Sequence, residues 1–223
     1  MIFKALNFIA GKIFNKNGYY ITGSLNYLKR KRSVDRNYMD YVRLSTLELA
    51  VQQIKEAGLS GAVAELGVYK GKFARYINQY FPDRTLYLFD TFEGFEKRDI
   101  KKEVENNYST GEQNFSDTSV EKVLGLMPHP ERCIVKKGYF PETAEGVNDS
   151  FVFVSIDTDL YDPIYNGLRF FYPRLSKGGY IFVHDYNNDG YIGAKEAVDK
   201  FCAENKITKL VIPDVCGTAI IVK

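Results

Sequence analysis

Short apolar runs alternate with amphipathic segments along most of this chain. Residues 62–65 form one run, and a helical spacing of apolar positions follows over residues 70–79. Residues 85–90 form a second run, and residues 151–156 form a third that is apolar throughout, as is typical of a central parallel strand. Strands that alternate with helices from residue 62 onward predict one doubly wound α/β domain over residues 36–223, with right-handed crossovers.

The remaining runs complete a predicted seven-stranded, mostly parallel sheet. Further strands are expected at residues 132–136, 180–183, 209–212 and 218–222. The last strand should be antiparallel, because residues 213–217 are too few for a parallel crossover. A long helix is predicted over residues 36–57, and another should start at Asp162-Pro163, with Asp162 as its N-cap.

The turn after the first predicted strand has an acid and two glycines in the pattern E-x-G-x-x-x-G. Gly67 can adopt a positive φ and leaves room for a ligand against the backbone, and Gly71 lets the following helix begin close to the strand. A dinucleotide-binding turn usually has three glycines around a pyrophosphate, which Glu65 would repel. A carboxylate suits a cationic ligand instead, such as the amino acid moiety and sulfonium of S-adenosylmethionine. The alternative is an ordinary turn with an incidental Glu.

A second acid ends the neighbouring predicted strand. Asp90 follows Gly67 at roughly the 20-residue interval at which an acid binds the ribose hydroxyls of an adenosine ligand. Two vicinal hydroxyls can both donate to one carboxylate. Acids at two adjacent strand ends, in this order, favour a nucleoside site over chance.

A third group of polar residues follows the fourth and fifth predicted strands. Asp157, Asp159, His184 and Asp185 should meet at the carboxyl edge of the sheet, where ligands bind in such folds. Carboxylates there could hold Mg²⁺, and an imidazole among them favours Mn²⁺, Fe²⁺ or Zn²⁺. Alternatively, His184 is itself a general base that Asp157 or Asp185 orients. The plainer interpretation is that the acids cap helices or turns and the histidine is structural.

Two segments stand apart from this pattern. Residues 91–131 are polar and long for a connection, which is typical of a functional lid or insertion, with a helix over residues 117–126. Residues 1–35 have the spacing of an amphipathic helix followed by the basic run 29–32, and they predict an N-terminal helical arm. This arm could make peripheral contact with an anionic membrane surface, but packing against another subunit of a homo-oligomer is favoured.

Composition narrows the class of protein. The formal net charge of the 223-residue chain is +2, so no bulk positive field argues for nucleic acid as a partner. Cys133, Cys202 and Cys216 are widely spaced and have no metal-ligand spacing. Unpaired thiols indicate a reducing compartment and hence a cytoplasmic location.

Several sequence blocks resemble the macrocin O-methyltransferase family, a class I S-adenosylmethionine-dependent family with a Rossmann-like sheet. The blocks occur in the family's order between about residues 36 and 201. They are ELGVYKG at 65–71, FDTFEG at 89–94, KGYFPET at 137–143, DTDLY at 157–161, PRLSKGG at 173–179 and HDY at 184–186.

This resemblance implies an enzyme that methylates a sugar hydroxyl of a glycan or a glycosylated small molecule. It implies a site in which Asp157, His184 and Asp185 hold Mg²⁺ near the substrate and act in catalysis. Many members have Asp where this chain has His184, which keeps open the interpretation of His184 as the base. Residues 91–115 resemble the family's mobile loop. The residues predicted to contact the methyl donor are Glu65, Gly67, Tyr69, Gly71, Asp90, Thr91, Phe92 and Asp117.

Two other classes are compatible with parts of the pattern. A nicotinamide oxidoreductase is disfavoured by Glu65 and by the missing third glycine. A non-catalytic protein of glycan biosynthesis that keeps the fold is supported only by His184 and by the N-terminal arm.

Overall fold

Residues 40–223 are the part of the chain that the computed structural model describes. The predicted arm at residues 1–35 lies outside them, and its membrane and subunit contacts stay predictions. Within residues 40–223, no helix has both the length and the apolar character needed to cross a membrane.

The described chain builds the predicted seven-stranded sheet in the order β3-β2-β1-β4-β5-β7-β6. All neighbouring pairs are parallel except those of β7, which is antiparallel to both β5 and β6. The prediction of a mostly parallel sheet with an antiparallel last strand is therefore confirmed. The strands are β1 (Ala62–Leu66), β2 (Leu86–Asp90), β3 (Cys133–Lys137), β4 (Phe151–Ile156), β5 (Leu175–Val183), β6 (Lys209–Ile212) and β7 (Thr218–Val222).

Helices cover the sheet, and one of them begins differently from the prediction. Asp162 is not the N-cap of its helix but the second helical residue; the N-cap is Leu160, which offers no side-chain hydrogen bond. The helix of the 117–126 segment is also shorter than predicted. The α-helices are α1 (Tyr41–Glu56), α2 (Lys72–Tyr80), α3 (Lys97–Glu105), α4 (Val120–Leu124), α5 (Tyr161–Arg174) and α6 (Ile192–Asn205), and short 3₁₀ turns occupy Pro130–Arg132 and Glu142–Ala144.

The insertion after β2 is fastened to the body of the domain by buried acids of α3. Glu103, 1% exposed, accepts a hydrogen bond at 2.8 Å from the backbone N–H of Tyr161. This bond gives α5 the N-terminal acceptor that its own cap residue lacks. Asp99 is also buried and accepts from the Tyr139 hydroxyl at 2.8 Å. Removing Glu103 would leave the buried N–H of Tyr161 without its partner.

Backbone hydrogen bonds continue the sheet one residue beyond the strand ends. The N–H of Asp157 donates to Leu66 of β1 at 2.8 Å, and the N–H of His184 donates to Ile156 of β4 at 2.9 Å. β4 is buried at every position, so it holds these ends rigidly. The residues that directly follow neighbouring strands therefore lie in a row at one edge of the sheet.

Candidate active site

This edge carries unusual backbone conformations as well as acids. Five residues other than glycine have a positive φ there: Tyr69 (47°), Phe92 (56°), Asp159 (61°), Asp185 (62°) and Cys216 (65°), whose carbonyl accepts from Asn187 N–H. A left-handed conformation is costly for residues with a Cβ atom. Such strain concentrates where a protein positions groups for binding or catalysis, so this edge is the candidate site.

Gly67 is the point at which the ends of β1 and β4 touch. Its φ is 86°, and a Cβ atom there would lie 2.1 Å from the carbonyl oxygen of Asp157. No side chain fits at that distance. Glycine is therefore required here because the backbones of two strand ends are in contact, whereas the sequence analysis attributed it to a ligand lying against the backbone.

Asp90 organises the loops around its own strand end. Its Oδ2 accepts from the N–H groups of Val68 at 2.7 Å and Tyr69 at 2.8 Å, and its Oδ1 accepts from Phe92 N–H at 2.6 Å. A carboxylate has about four lone-pair positions, so roughly one acceptor position remains on Oδ1. Asp90 therefore fixes the glycine turn first and has little capacity left for a ligand hydroxyl.

Glu65 has the opposite environment. It is 1% exposed, and within residues 40–223 its Oε2 atom has no hydrogen-bond partner. Burial, with a further contribution from the nearby Asp157, raises the pKa of Glu65 well above its usual value. A buried carboxyl group with an unused oxygen at the ligand-binding edge fits a cationic ligand. This orphaned atom suits the ammonium end of S-adenosylmethionine.

The other predicted donor residues surround the same turn. Tyr69 donates its hydroxyl hydrogen to Asp117 Oδ1 at 2.6 Å, and Asp117 also pairs with Lys70. Gly71 is the N-cap of α2, with φ 72°. Thr91 bonds through its hydroxyl to the carbonyl of Gly94 at 2.7 Å, so its side chain shapes the loop after β2. Phe92, which donates its N–H to Asp90, is buried in that loop. The structure thus brings all of these residues together around one turn.

The second group of predicted residues forms a connected cluster. His184 Nδ1 lies 3.1 Å from Asp157 Oδ1 and 2.9 Å from Asp185 Oδ2. Carboxylate oxygens accept hydrogen bonds, so Nδ1 carries a hydrogen that both acids hold. Asp185 is further held by the side-chain amide of Asn188 at 2.8 Å. The imidazole is therefore fixed in one orientation, with Nδ1 protonated whether the ring is neutral or charged.

Arg43 completes this cluster and was missed by the sequence analysis. Its Nη1 lies 3.0 Å from Asp157 Oδ2, its side chain is 4% exposed, and its guanidinium lies 4.0 Å from the centre of the Phe73 ring. The sequence did contain a signal. Arg43 precedes Leu47 by four residues on the stripe of α1 that also buries Ala50 and Ile54.

Charges in the cluster shift one another's titration. Although burial acts against it, the positive charges of Arg43 and His184 lower the pKa of Asp157 strongly. His184 is affected in the opposite direction: burial disfavours its charge, yet Asp157 raises its pKa to about 10. Burial, with a further contribution from the neighbouring Asp185, raises the pKa of Asp159 well above its usual value.

The predicted metal site has suitable spacing but an unsuitable donor set. Asp157, His184 and Asp185 each place one possible ligand atom within 4.8 Å of the others. However, Nδ1 of His184 carries a hydrogen, and a metal needs the free lone pair of a neutral ring. Arg43 also places a permanent positive charge next to Asp157. These residues, as they are arranged, do not fit a divalent ion.

A second set of possible ligands shares the same histidine. Asp40 and Asp214 lie near His184 with the same spacing. Asp40 already accepts from the N–H of Arg43 at 3.0 Å and from that of Val215 at 3.1 Å. Asp214 accepts from Thr218 N–H at 2.6 Å. These acids cap backbone groups, which explains their position without a ligand.

Comparisons with known proteins identify relatives of this sequence. The sequence model of the family described as macrocin O-methyltransferase (TylF) matches residues 25–221. The mycinamicin III 3''-O-methyltransferase of Micromonospora griseorubida is 30% identical over 166 residues, which are 65% of this chain and 62% of that protein. An O-methyltransferase of Streptomyces olivaceus that acts on a rhamnosyl tetracenomycin is 26% identical over 172 residues, covering 70% of this chain and 65% of that protein.

The fold has solved relatives as well. The O-methyltransferase NovP is 24% identical, with a TM-score of 0.65 over 81% of this chain and 79% of that one. At this identity the likeness concerns the fold. The chain matches less than two thirds of the length of the two curated relatives above, 62% and 65%.

Proposed function

Because this chain belongs to the macrocin O-methyltransferase family, we propose that it transfers a methyl group from S-adenosylmethionine to a hydroxyl group of a sugar. The acceptor is a glycosylated small molecule or a glycan. The names of the curated relatives, which act on mycinamicin and on a rhamnosyl tetracenomycin, support this substrate class. The observation that carries the proposal is the buried Glu65 with an unused oxygen, at the edge shared with Asp90 and Asp157.

The residues of β1 and β2 hold the donor. S-adenosylmethionine, when bound, supplies an electrophilic methyl group on a sulfonium. Glu65 offers its unpartnered oxygen to the ammonium group, and Asp90 offers its remaining acceptor position to a ribose hydroxyl. Gly67 lets the backbones at the ends of β1 and β4 come into contact next to this site. Tyr69 and Asp117 close the turn from the other side.

The cluster at β4 and β5 prepares the acceptor. Methyl transfer needs an aligned oxygen that loses its proton. We assign the proton acceptor to Nε2 of His184, because Asp157 and Asp185 hold the hydrogen on Nδ1. The same two carboxylates stabilise the charged ring once Nε2 is protonated. With a pKa of about 10, the neutral ring is a strong base but the minor form near pH 7.

Metal assistance, which the family resemblance implied in the sequence analysis, is not part of this proposal. The hydrogen on His184 Nδ1 and the guanidinium beside Asp157 occupy the atoms that a divalent ion would need. Alignment and deprotonation are therefore assigned to side chains alone.

We place this activity in the cytoplasm. The support is that Cys133, Cys202 and Cys216, all within the described residues, are free thiols. Such thiols persist in a reducing compartment.

The test combines donor binding with turnover. Calorimetry with S-adenosylhomocysteine should show one site per chain, and a nicotinamide dinucleotide should not compete for it. Radiolabelled S-adenosylmethionine should then label members of a panel of deoxysugar glycosides and nucleotide sugars. A chain that binds the dinucleotide but not S-adenosylhomocysteine would contradict the proposal.

A further inference from the structure

Arg43 connects three separate elements at the catalytic edge. It projects from the first turn of α1, its guanidinium lies on the Phe73 ring of α2, and its two terminal nitrogens reach β4 and the residue after it. Nη1 pairs with Asp157 at 3.0 Å, and Nη2 donates to the Ser155 hydroxyl at 3.3 Å. A guanidinium held by a ring face and two acceptors has little freedom to move away.

The position of this charge is that of a counter-ion. Asp157 turns one carboxylate oxygen to Arg43 and the other to His184. An arginine is charged at every accessible pH, so it compensates one of the two carboxylates of the cluster permanently. A dication among the same atoms would share Asp157 with a second cation in a buried site, where repulsion is poorly screened.

We propose that Arg43 takes the place of a divalent ion in this protein: it orients Asp157, supplies the positive charge, and makes the cluster of Asp157, His184 and Asp185 independent of metal. Arg43 is thus a positioning residue, which acts through Asp157 and His184. The inference rests on the function proposed above, since it concerns the same transfer.

The chain offers a matched control. Arg98 also lies over an aromatic ring, 3.3 Å from the centre of Tyr139, and also pairs with a carboxylate, Glu142, at 2.9 Å. Its side chain is 52% exposed, and it belongs to α3. Arg98→Met removes the same kind of contact without touching the cluster.

The experiment titrates Mn²⁺ into the full chain and follows free Mn²⁺ by electron paramagnetic resonance. The wild type and Arg98→Met should take up no stoichiometric Mn²⁺ at millimolar concentration. Arg43→Met, which frees Asp157 from its ion pair, should bind one Mn²⁺ with an affinity about tenfold or more above that of the wild type. Adding Asp157→Asn to this variant should abolish the gain in affinity. A residue with only a structural role would not change metal affinity. Arg43→Lys, which keeps the charge, should resemble the wild type and serves if Arg43→Met does not fold.

The opposite result is equally clear. One tightly bound Mn²⁺ in the wild type, lost in Asp157→Asn, would overturn the inference, as would loss of labelled-methyl transfer after removal of metals with a chelator. Binding of S-adenosylhomocysteine, measured on the same samples, distinguishes a failure of this inference from a failure of the proposed function. If it binds and Mn²⁺ binds too, only the inference fails; if it does not bind, the proposed function fails.

Discussion

Carboxylate side chains lie at the ends of β1 and β2 and also at the ends of β4 and β5. Their hydrogen-bond partners differ between the two pairs of strands. At the first pair, backbone N–H groups saturate most of Asp90, and Glu65 keeps an oxygen with no partner in the described chain. At the second pair, Asp157 and Asp185 are bonded to cationic or hydrogen-bearing side chains. The first pair of strand ends therefore has an oxygen that can bind a cationic ligand, whereas the carboxylates of the second pair are already bonded to cationic side chains of the protein.

The largest effect should come from breaking the second pair at Asp157. Asp157→Asn keeps the size of the side chain but removes the charge that orients and stabilises His184. We expect turnover to fall about 100-fold or more, with the affinity for S-adenosylhomocysteine within about threefold of wild type. Labelled-methyl transfer and calorimetry measure the two quantities.

Asp199→Asn is the control for this substitution, because Asp199 is ion-paired with Lys195 and Lys209 and accepts from the Tyr186 hydroxyl rather than from His184. It should leave turnover near the wild-type value. A loss of donor affinity in Asp157→Asn as large as the loss of rate would contradict the division of roles.

The contact between the two pairs can be broken at Gly67. Gly67→Ala places a Cβ atom against the carbonyl of Asp157 in addition to its unfavourable φ, so we expect a loss of about 3 kcal/mol in the free energy of unfolding. Gly146→Ala is matched in backbone strain, with φ 78°, but has nothing within 4 Å of the new Cβ. Thermal unfolding should separate the two variants by several degrees, and equal losses would show that strain alone matters.

The backbone bonds of the first pair can be tested at Asp90. Asp90→Ala removes the acceptor of three N–H groups, so the turn that carries Tyr69 should loosen. We expect the Kd for S-adenosylhomocysteine to rise about tenfold or more, which is about 1.4 kcal/mol. Asp90→Asn keeps one acceptor oxygen, so its Kd should lie between those of the wild type and Asp90→Ala. Unchanged affinity in Asp90→Ala would remove this residue from the donor site.

The smallest effect, and the sharpest in sign, concerns Glu65. Its folded-state pKa is raised, so the stability linked to this group is fully present below the unfolded pKa and is lost as pH rises through the folded pKa. Glu65→Gln cannot ionise. Its free energy of unfolding should therefore exceed that of the wild type by about 1 kcal/mol at pH 8, and the difference should vanish near pH 4.

Donor binding should change in the opposite direction, because the variant has no charge for the ammonium group. Chemical denaturation at several pH values and calorimetry check the two parts. A variant that is less stable than the wild type at pH 8 would show that Glu65 is paired in the folded protein.

Local patterns predicted the strands and their carboxyl ends well. The apolar runs predicted all seven strands, although β5 begins at Leu175, five residues before the predicted start, and parallel strands must bring their carboxyl ends to one edge. Glu65, Asp90, Asp157 and His184 could therefore be placed together before any coordinates. The two glycines also predicted the turn after β1. In the structure Gly67 is required there by its contact with the backbone of Asp157.

What the sequence could not supply were contacts between distant parts of the chain. Arg43 lies 114 residues from Asp157, and Glu103 lies 58 residues from Tyr161. No periodicity of a single segment encodes such a pair. For this reason the sequence predicts Asp162 instead of Leu160 as the cap of α5, and it does not predict the positive charge of Arg43 beside Asp157.

The carboxylate of Glu103 has a consequence for engineering. Exchanging the insertion between β2 and α4 for that of a relative is an obvious route to a new acceptor range. In this chain the insertion also supplies the first acceptor of α5, so a graft must bring an acid that reaches the amide of Tyr161. Chimeras chosen only for the shape of their loops would inherit a frayed helix behind the catalytic edge.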